Sequence, residues 1–329
     1  MRRLLLITTG GTIASVQGNL GLTPGNDYAQ IEQYLRSSSL SCEIRRLSLF
    51  DIDSTNMQPE NWVEIAATVA AHYDEYDGFL ITHGTDTMAY TAAAISYFLQ
   101  GLAKPVILTG SQAPFDNQKT DARRNLRDAV RVAMEEIGGV FVVFDGKIIA
   151  GTRAVKIRTK SFDAFESVNF PDVGHMEDGI IKYRINLAPT GEALRFDASL
   201  VTDVALIKLY PGIHPDLLDR VADGVRGLVI ESFGNGGIPS LQRNLLPSIE
   251  RLTAKGVAVV VTTQCLQEGE DLSLYEVGRR VMLIPHVIVS KDMNTEAIVP
   301  KLMWVLGKTN DLAAVKALME TPIAFDCSF

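Results

Sequence analysis

Two stretches decide the fold of this chain, Leu4-Leu-Leu-Ile-Thr-Thr-Gly-Gly-Thr12 and Gly78-Phe-Leu-Ile-Thr-His-Gly-Thr-Asp-Thr87. Each begins with an apolar run that is typical of a buried strand in a parallel sheet, and each continues into a turn with glycine and threonine. Ligands of open α/β sheets bind at the carboxyl ends of such strands. Glycine lets a substrate approach the backbone there, and a hydroxyl beside it is a candidate nucleophile. The sequence therefore predicts a site with two candidate hydroxyls.

Apolar runs and amphipathic stretches alternate along the first half of the chain. The predicted strands cover residues 4–8, 43–49, 78–82, 105–109 and 139–144. The predicted helices cover residues 27–37, 59–74, 86–100 and 120–136. The best-defined helix has one apolar face, formed by Met88, Ala92, Ile95, Phe98 and Leu99, and Gly101 follows it as a stop signal. This alternation predicts a doubly wound, mostly parallel sheet with right-handed crossovers.

A second alternation of strands and helices begins at Val204, after a stretch with turn chemistry at residues 186–202. It includes apolar runs at 227–230 and 257–262 and a final helix near 311–319. We therefore predict an α/β fold with a larger N-terminal catalytic domain and a smaller C-terminal α/β domain. The predicted bounds are 1–187 for the N-terminal domain, 188–203 for the linker and 204–329 for the C-terminal domain.

The composition argues against several classes of partner. Lys and Arg total 31 against 39 Asp and Glu, which gives a net charge of −8 and disfavours nucleic acid and anionic membranes. The basic run between Lys119 and Arg131 is interleaved with acidic residues, so we interpret it as a solvated helix face.

The cysteines and the apolar runs bear on the compartment. Cys42, Cys265 and Cys327 lie far apart, which predicts free thiols in a reducing compartment. The first apolar run is shorter than a signal-peptide core, and no run reaches transmembrane length. We therefore predict a cytoplasmic protein.

The segment from Ile13 to Gly25 contains three glycines and no strong periodicity. Such a segment has the hinges that a lid over a site requires, so we predict a lid. The alternative is an ordinary connection between a strand and a helix.

A threonine hydroxyl needs a base to remove its proton, and the sequence leaves the identity of that base open. His83 lies two residues before Thr85 and is one candidate, with a hydrogen-bonded strand-end residue as the alternative interpretation. Asp86 follows Thr85 directly. The stretch between Gly151 and Phe165 offers Lys156 or Lys160, although either lysine alone is ordinarily a surface charge.

Patterns for other chemistries are absent from the sequence. It contains neither the dinucleotide glycine pattern nor the P-loop, and no metal-ligand spacing. We therefore expect no metal and no cofactor. Without a metal or cofactor, the reactions that paired hydroxyls, a carboxylate and a base can carry out are acyl transfer and hydrolysis.

These motifs together closely resemble the bacterial-type L-asparaginases, and more narrowly their cytosolic type I subgroup. The resemblance runs essentially from end to end. It is carried by Thr9-Gly-Gly-Thr-Ile-Ala-Ser15, Asp53-Ser-Thr-Asn-Met57, the run from Tyr76 to Tyr90, Thr109-Gly-Ser-Gln112 and Thr262-Thr-Gln-Cys265.

The resemblance implies catalytic roles for four residues. Thr12 is the expected nucleophile, which would form an acyl-enzyme with the side-chain carboxamide carbon. Thr85, Lys156 and Asp86 match the family's second triad, in which the lysine acts as base towards Thr85 or a water. The resemblance thus selects Lys156, a choice that the residues alone leave open.

The resemblance also implies where the substrate binds. The hydroxyls and backbone groups of Asp53, Ser54 and Thr55 would hold the α-carboxylate, while Asp86 would help hold the α-ammonium group. Gly11 and Gly84 are expected to bind the substrate, and backbone N–H groups in the glycine turns to stabilise the developing oxyanion.

The chain departs from the family pattern at two places. Many members carry a lid tyrosine where this chain has Leu22; Thr23 is the candidate substitute, and the nearest tyrosine in sequence is Tyr28. Some type I enzymes bind asparagine as an effector through an arginine where this chain has Glu231, so we do not carry that regulation over. Asn235 is a candidate contact with a neighbouring subunit's site.

The resemblance therefore predicts hydrolysis of L-asparagine to L-aspartate and ammonia, with weak glutaminase activity. It implies a homodimer or homotetramer. One alternative is the amidase subunit of a tRNA-dependent amidotransferase, which carries an additional N-terminal domain, whereas the first strand here starts at Leu4. The other alternative is a non-catalytic amino-acid-binding protein, which we expect to have lost a member of the hydroxyl, lysine and aspartate set.

Overall fold

The computed structural model describes residues 1–18, 21–23, 28–37, 41–189 and 191–328. They form two compact units, unit 1 at Met1–Ala198 and unit 2 at Ser199–Phe329. No helix within these ranges is long and apolar enough to cross a membrane.

Among the described residues, unit 1 contains one large sheet of eight strands and three small sheets of two strands each. Its strands are β1 (Arg2–Gly10), β2 (Val16–Gly18), β3 (Gly21–Thr23), β4 (Cys42–Ile52), β5 (Gly78–Thr82), β6 (Leu99–Gln100), β7 (Pro105–Thr109), β8 (Gly139–Phe144), β9 (Lys147–Ala150), β10 (Ala154–Lys156), β11 (Phe165–Ser167), β12 (Gly174–Glu177), β13 (Ile180–Tyr183) and β14 (Arg195–Phe196). Its helices are α1 (Ala29–Ser37), α2 (Pro59–Ala71), α3 (Met88–Phe98) and α4 (Ala122–Ala133).

The order of the strands in the large sheet determines where a ligand can bind. The sheet has eight strands in the order β13-β12-β9-β8-β7-β5-β1-β4, and the five from β8 to β4 are parallel. Counted along the chain, these five strands have the doubly wound order 2-1-3-4-5. That order reverses between β1 and β5, where Thr8 lies opposite Thr82. Doubly wound sheets bind ligands outside the carboxyl ends of the strands at this reversal.

The predicted strands and helix α4 bury their apolar side chains in the core of unit 1. Leu4, Leu6, Leu80 and Ile107 are fully buried. Helix α4 buries its apolar face against β5, β7 and β8. Its arginines form ion pairs with Asp128 and Asp145, as predicted for a solvated basic face.

Helix α3 differs from its prediction. Instead of one apolar face, every residue of the helix except Tyr90 is buried. The helix contacts α2 as well as β7 and β8, so it has partners on several sides. Leu99 lies outside the helix, because it begins β6 and pairs with β14.

Unit 2 contains a second, smaller sheet. Its parallel strands are β15 (Val204–Lys208), β16 (Gly227–Ser232), β17 (Ala258–Thr263) and β18 (Ile288–Val289), in that order. Its helices are α5 (Pro215–Val221), α6 (Leu246–Ala254), α7 (Glu276–Met282), α8 (Thr295–Lys308) and α9 (Leu312–Glu320). The predicted fold class is confirmed: a larger doubly wound unit is followed by a smaller α/β unit. The domain bounds at 187 and 204 stay a prediction, and β14 lies within the predicted linker.

Candidate active site

The two threonine turns meet at the carboxyl end of the large sheet. Gly10 and Gly11 have φ angles of +95° and +84°, which favour glycine over residues with a side chain. A Cβ atom on Gly11 would lie 2.4 Å from the Gly84 nitrogen and 2.5 Å from its Cα. The backbones of the two turns are therefore in direct contact, and Thr12 and Thr85 follow that contact immediately in sequence.

Two further segments pack against the same turns. A Cβ atom on Gly84 would lie 2.5 Å from the Ser54 Oγ atom, and one on Gly110 would lie 2.3 Å from the His83 carbonyl oxygen. Ser54 follows β4 and Gly110 follows β7. The segments after four parallel strands thus converge, as expected at a ligand-binding sheet edge.

Thr12 begins a short 3-10 helix, Thr12–Ala14, and is half-buried. The turn before it is held by backbone bonds. The Gly11 N–H donates to the Ile52 carbonyl at 3.1 Å, and the Gly11 carbonyl accepts from the Ser15 hydroxyl at 3.0 Å. The Gly11 N–H is thus used within the turn, and the expectation that Gly11 helps to bind the substrate stays a prediction.

Lys156, Thr85 and Asp86 form a hydrogen-bonded set. The Lys156 Nζ atom donates to the Thr85 Oγ1 atom at 2.7 Å and to the Asp86 Oδ1 atom at 2.6 Å. The Thr85 residue is buried, whereas the Asp86 side chain is 54% exposed. A lysine between a hydroxyl and a carboxylate can exchange a proton with that hydroxyl.

The structure brings Lys156, and not Lys160, to the threonine turns. Lys156 is the last residue of β10, where pairing with β11 places it opposite Phe165. Lys160 is exposed in the connection between these two strands.

The segment after β4 presents Asp53, Ser54 and Thr55 beside the second turn. The buried Ser54 Oγ accepts from the Asp86 N–H at 3.3 Å, and the Ser54 carbonyl accepts from the Thr87 hydroxyl at 2.7 Å. The Asp53 Oδ1 atom accepts from the N–H and hydroxyl of Thr55, both at 2.8 Å. Asp53 and Thr55 are exposed, so this turn offers polar groups next to Asp86.

His83 is a buried strand-end residue, which was the alternative interpretation of this histidine. Its Nε2 atom lies 2.9 Å from the Thr91 hydroxyl and its Nδ1 atom 2.7 Å from the Gly84 carbonyl. A carbonyl only accepts, so Nδ1 carries the proton and Nε2 accepts from Thr91. Burial lowers the pKa of His83 to about 4, which keeps the ring neutral. Both ring nitrogens are occupied, so His83 is not a base for Thr85.

Tyr28, the tyrosine nearest in sequence to Leu22, lies next to the first turn. Tyr28 is buried, and burial raises the pKa of its phenol; the groups around the hydroxyl are the Gly10 backbone and the Thr8 and Thr82 side chains. Tyr28 therefore packs below the first turn. The side chains of Leu22 and Thr23 lie outside the described residues, as do residues 19–20 and 24–25 of the predicted lid, whereas the backbones of β2 and β3 within it pair antiparallel.

Gln112 belongs to the site, although sequence reasoning assigned it no role. Its Oε1 atom accepts from the Thr85 hydroxyl at 3.1 Å. The only sequence signal was its place in the motif Thr109-Gly-Ser-Gln112 after a predicted strand.

Unit 2 places the two residues that the resemblance singled out there. The Glu231 carboxylate accepts from the Thr295 hydroxyl at 2.7 Å. Asn235 is exposed in the turn after β16.

Comparisons with known proteins identify the family of the chain. A family model described as asparaginase, N-terminal, matches residues 3–188, and a glutaminase/asparaginase C-terminal domain model matches residues 203–319. An L-asparaginase of Thermococcus kodakarensis is 42% identical over 98% of both chains. A glutamyl-tRNA(Gln) amidotransferase subunit of Pyrococcus furiosus is 39% identical over 98% of this chain and 76% of its own length.

Solved structures of L-asparaginases are also similar to this chain. The thermostable L-asparaginase from Thermococcus kodakarensis superimposes with a TM-score of 0.94, at 39% identity over 99% of both chains. L-asparaginase I from Vibrio cholerae has a TM-score of 0.88 at 29% identity, covering 100% of this chain and 99% of its own. Both domain models match in order and together span most of the sequence. The chain therefore belongs to the asparaginase family.

Proposed function

We propose that this protein hydrolyses the side-chain amide of L-asparagine to L-aspartate and ammonia, with Thr12 as the nucleophile. The observation that carries the proposal is the set formed by Lys156, Thr85 and Asp86, placed against the Gly11 turn by the contact between Gly11 and Gly84. Hydrolysis of an amino-acid amide by a hydroxyl nucleophile needs a fixed hydroxyl and a nearby group that can transfer protons.

The reaction has two steps. In the first, the Thr12 Oγ atom bonds to the carboxamide carbon, its proton passes to the leaving nitrogen, and ammonia departs from the acyl-enzyme. In the second, water attacks the ester carbon, and the Thr12 oxygen leaves and regains a proton. Lys156 accepts and returns a proton through the Thr85 hydroxyl, and Asp86 balances the charge of the ammonium form.

The polar groups around the set fit a zwitterionic amino acid. Asp86 is half-exposed beside Lys156 and would attract the α-ammonium group. The α-carboxylate end would lie at the turn Asp53–Thr55, where the Ser54 hydroxyl would donate to it, since the Thr55 N–H and hydroxyl donate to Asp53. The remaining N–H groups of the second turn, including that of Gly84, are candidates for stabilising the oxyanion.

An ammonia-release assay with asparagine and glutamine side by side tests the proposal. We expect asparagine to be preferred and glutamine to react weakly, because one methylene typically changes discrimination by about 1–3 kcal/mol. A preference for glutamine would contradict the substrate assignment, and no release from either amide would contradict the proposed function.

A second candidate function is the amidase step of a tRNA-dependent amidotransferase. The similarity to the Pyrococcus furiosus protein, 39% over 98% of this chain, favours keeping it under test. Ammonia release that requires charged tRNA and a partner protein would support it, whereas turnover of free asparagine by the protein alone would favour the first proposal.

Two further properties stay predictions. We expect a homodimer or homotetramer, with Asn235 near a neighbouring subunit's site, and light scattering of the purified protein measures its mass. We also expect a cytoplasmic location, which cell fractionation tests.

A further inference from the structure

Both ends of the Gln112 side-chain amide are hydrogen-bonded to different parts of unit 1. The Nε2 group donates to the Ser161 carbonyl oxygen at 3.2 Å, and the Oε1 atom accepts from the Thr85 hydroxyl at 3.1 Å. Ser161 lies between β10 and β11, whereas Thr85 follows β5. Gln112 thus links the hairpin that carries Lys156 to the turn that carries Thr85.

The direction of each hydrogen bond in this chain of contacts is determined by the backbone. A carbonyl oxygen can only accept, so the NH₂ end of the amide must face Ser161 and the oxygen must face Thr85. An amide oxygen cannot donate either, so the Thr85 hydroxyl must point its proton at Gln112. The lone pairs of that hydroxyl are then left for the Lys156 ammonium group, 2.7 Å away.

The position of Gln112 is itself held by a buried carboxylate. Asp121 is 6% exposed and accepts from the Gln112 N–H at 3.1 and 3.0 Å and from the Ala113 N–H at 3.1 Å. It also accepts from the Asn125 Nδ2 group at 3.1 Å. The loop therefore presents the amide from a fixed backbone, which is what a positioning residue requires.

We infer that Gln112 is a positioning residue that keeps the Thr85 hydroxyl proton turned away from Lys156 in the resting enzyme. The inference rests on the proposed function, in which Thr85 exchanges a proton with this lysine. The hydroxyl can donate to Lys156 only when the amine is unprotonated, and it must then give up its bond to Gln112. The Gln112 oxygen thus favours the form with an ammonium group and sets the pH at which the exchange begins.

Several charged groups of the described residues contact the segments that take part in this exchange. Asp86 contacts Lys156 directly, and Asp121 lies behind the backbone of Gln112. On the segment that carries Ser161, Arg158 is paired with Asp163 and Glu166. Met and Glu at position 112 both lack the donor to the Ser161 carbonyl, so the effect of the Gln112 oxygen is measured as the difference between the two variants.

The test is the pH dependence of kcat/KM for asparagine in two variants with opposite expectations. Gln112→Met removes the acceptor, so the acidic limb should move to lower pH by about half a unit to one unit. Gln112→Glu keeps an acceptor and adds negative charge, so the limb should move to higher pH by a similar amount. Gln118→Met and Gln118→Glu serve as controls, because Gln118 is exposed in the same loop.

The outcomes separate the inference from the proposed function. Opposite shifts at position 112, with no shift at position 118, support the inference. Unshifted limbs, or limbs that move in the same direction in both variants, contradict it even if kcat falls. If Gln112→Met does not fold, the nearly isosteric Gln112→Glu decides through the upward shift alone. Absence of ammonia release by the wild-type protein would contradict the proposed function itself.

Discussion

At the scale of single residues, Lys156 is the group on which the proposed chemistry depends most. It contacts both the Thr85 hydroxyl and the Asp86 carboxylate, and its side chain is only 16% exposed. A methionine at this position would keep much of the volume and lose the exchangeable proton.

We expect Lys156→Met to lower kcat by about 10³-fold or more, because the proton exchange with Thr85 is lost. Lys160→Met is the matched control, since Lys160 is exposed four residues further along. Steady-state ammonia release measures both variants. Equal losses in the two would contradict the role of Lys156.

We expect Thr12→Val to lower kcat by about 10³-fold or more while leaving the circular dichroism spectrum and thermal midpoint nearly unchanged. Valine matches threonine in shape and lacks the attacking oxygen. Thr12→Ser keeps that oxygen and should retain measurable turnover. Near-normal turnover by the valine variant would show that another group is the nucleophile.

The sequence predicted these residues unevenly. The two threonines could be found because each follows an apolar run and a glycine, a local pattern. Lys156 could not be separated from Lys160 in this way, because its contact with Thr85 spans 71 residues and depends on the register of a short hairpin. Gln112 was missed for the same reason, since its partners lie in two other segments.

At the scale of elements, the turn after β1 is determined by its contact with the turn after β5. A side chain on Gly11 would overlap the Gly84 backbone and would also occupy a φ angle of +84°. The overlap and the strained backbone each lower the free energy of unfolding. A control substitution should therefore be made at a glycine that has a positive φ angle but no neighbouring atom.

We expect Gly11→Ala to lower the free energy of unfolding by several kcal/mol and to abolish turnover, because the Cβ atom would lie 2.4 Å from a backbone nitrogen. Gly224→Ala is the control. Gly224 has a φ of +79°, and no atom of the described residues lies within 4 Å of its Cβ position, so its cost should be about 1–2 kcal/mol. Urea denaturation measures both. Equal costs would contradict the importance of the contact between the turns.

The connection between β17 and α7 contains a buried carboxyl group, that of Glu270, which makes the stability depend on pH. Glu270 is buried, and its Oε1 atom accepts from the Ser290 N–H and hydroxyl at 3.0 Å. Burial raises the pKa of this carboxyl from 4.5 to about 8. Between these two values the folded protein retains a proton that the unfolded chain has lost. The free energy of unfolding therefore falls as the pH rises through this range.

We expect Glu270→Gln to remove this pH dependence, because glutamine is a neutral isostere that still accepts from Ser290. Its stability relative to wild type should increase between pH 5 and pH 8, by an amount on the order of a few kcal/mol. Glu250→Gln, at an exposed position of α6, should show no such change. Parallel stability curves for wild type and Glu270→Gln would contradict the prediction.

Helix α8 shows where sequence patterns stop being informative. It was not predicted, because Pro300 interrupts its pattern and residues on several of its sides are buried. Proline is unfavourable inside a helix, so only the packing of α8 against β15 and β16 reveals the helix.

At the scale of the whole molecule, the end of the chain is attached to unit 2 by a buried ion pair. The Lys301 Nζ atom lies 2.6 Å from the Asp326 Oδ2 atom, and both side chains are 0% exposed. The same amine donates to the Thr321 carbonyl at 2.8 Å. Burial lowers the pKa of Lys301, while the nearby Asp326 opposes that shift.

We expect Asp326→Asn to destabilise unit 2 by about 3–5 kcal/mol, because it leaves a buried ammonium group without its charge partner. The double variant Lys301→Met with Asp326→Leu should recover most of that loss. Chemical denaturation of wild type, Lys301→Met, Asp326→Leu and the double variant gives the coupling energy. Additive losses would contradict the prediction.

The overall architecture could be predicted only in part. Alternating strands and helices indicated an α/β fold, and that prediction is confirmed. The order 2-1-3-4-5, which puts the site between β1 and β5, could not be derived from alternation, because local periodicity does not say which strands are neighbours.

The bare peptide contact between Gly11 and Gly84 limits how this enzyme can be redesigned. Neither glycine has a side chain that could be shortened, so a substitution at these two positions can only add atoms where the turns already touch. A change of substrate selectivity therefore has to come from neighbouring side chains, such as those of Ser54 and Gln112.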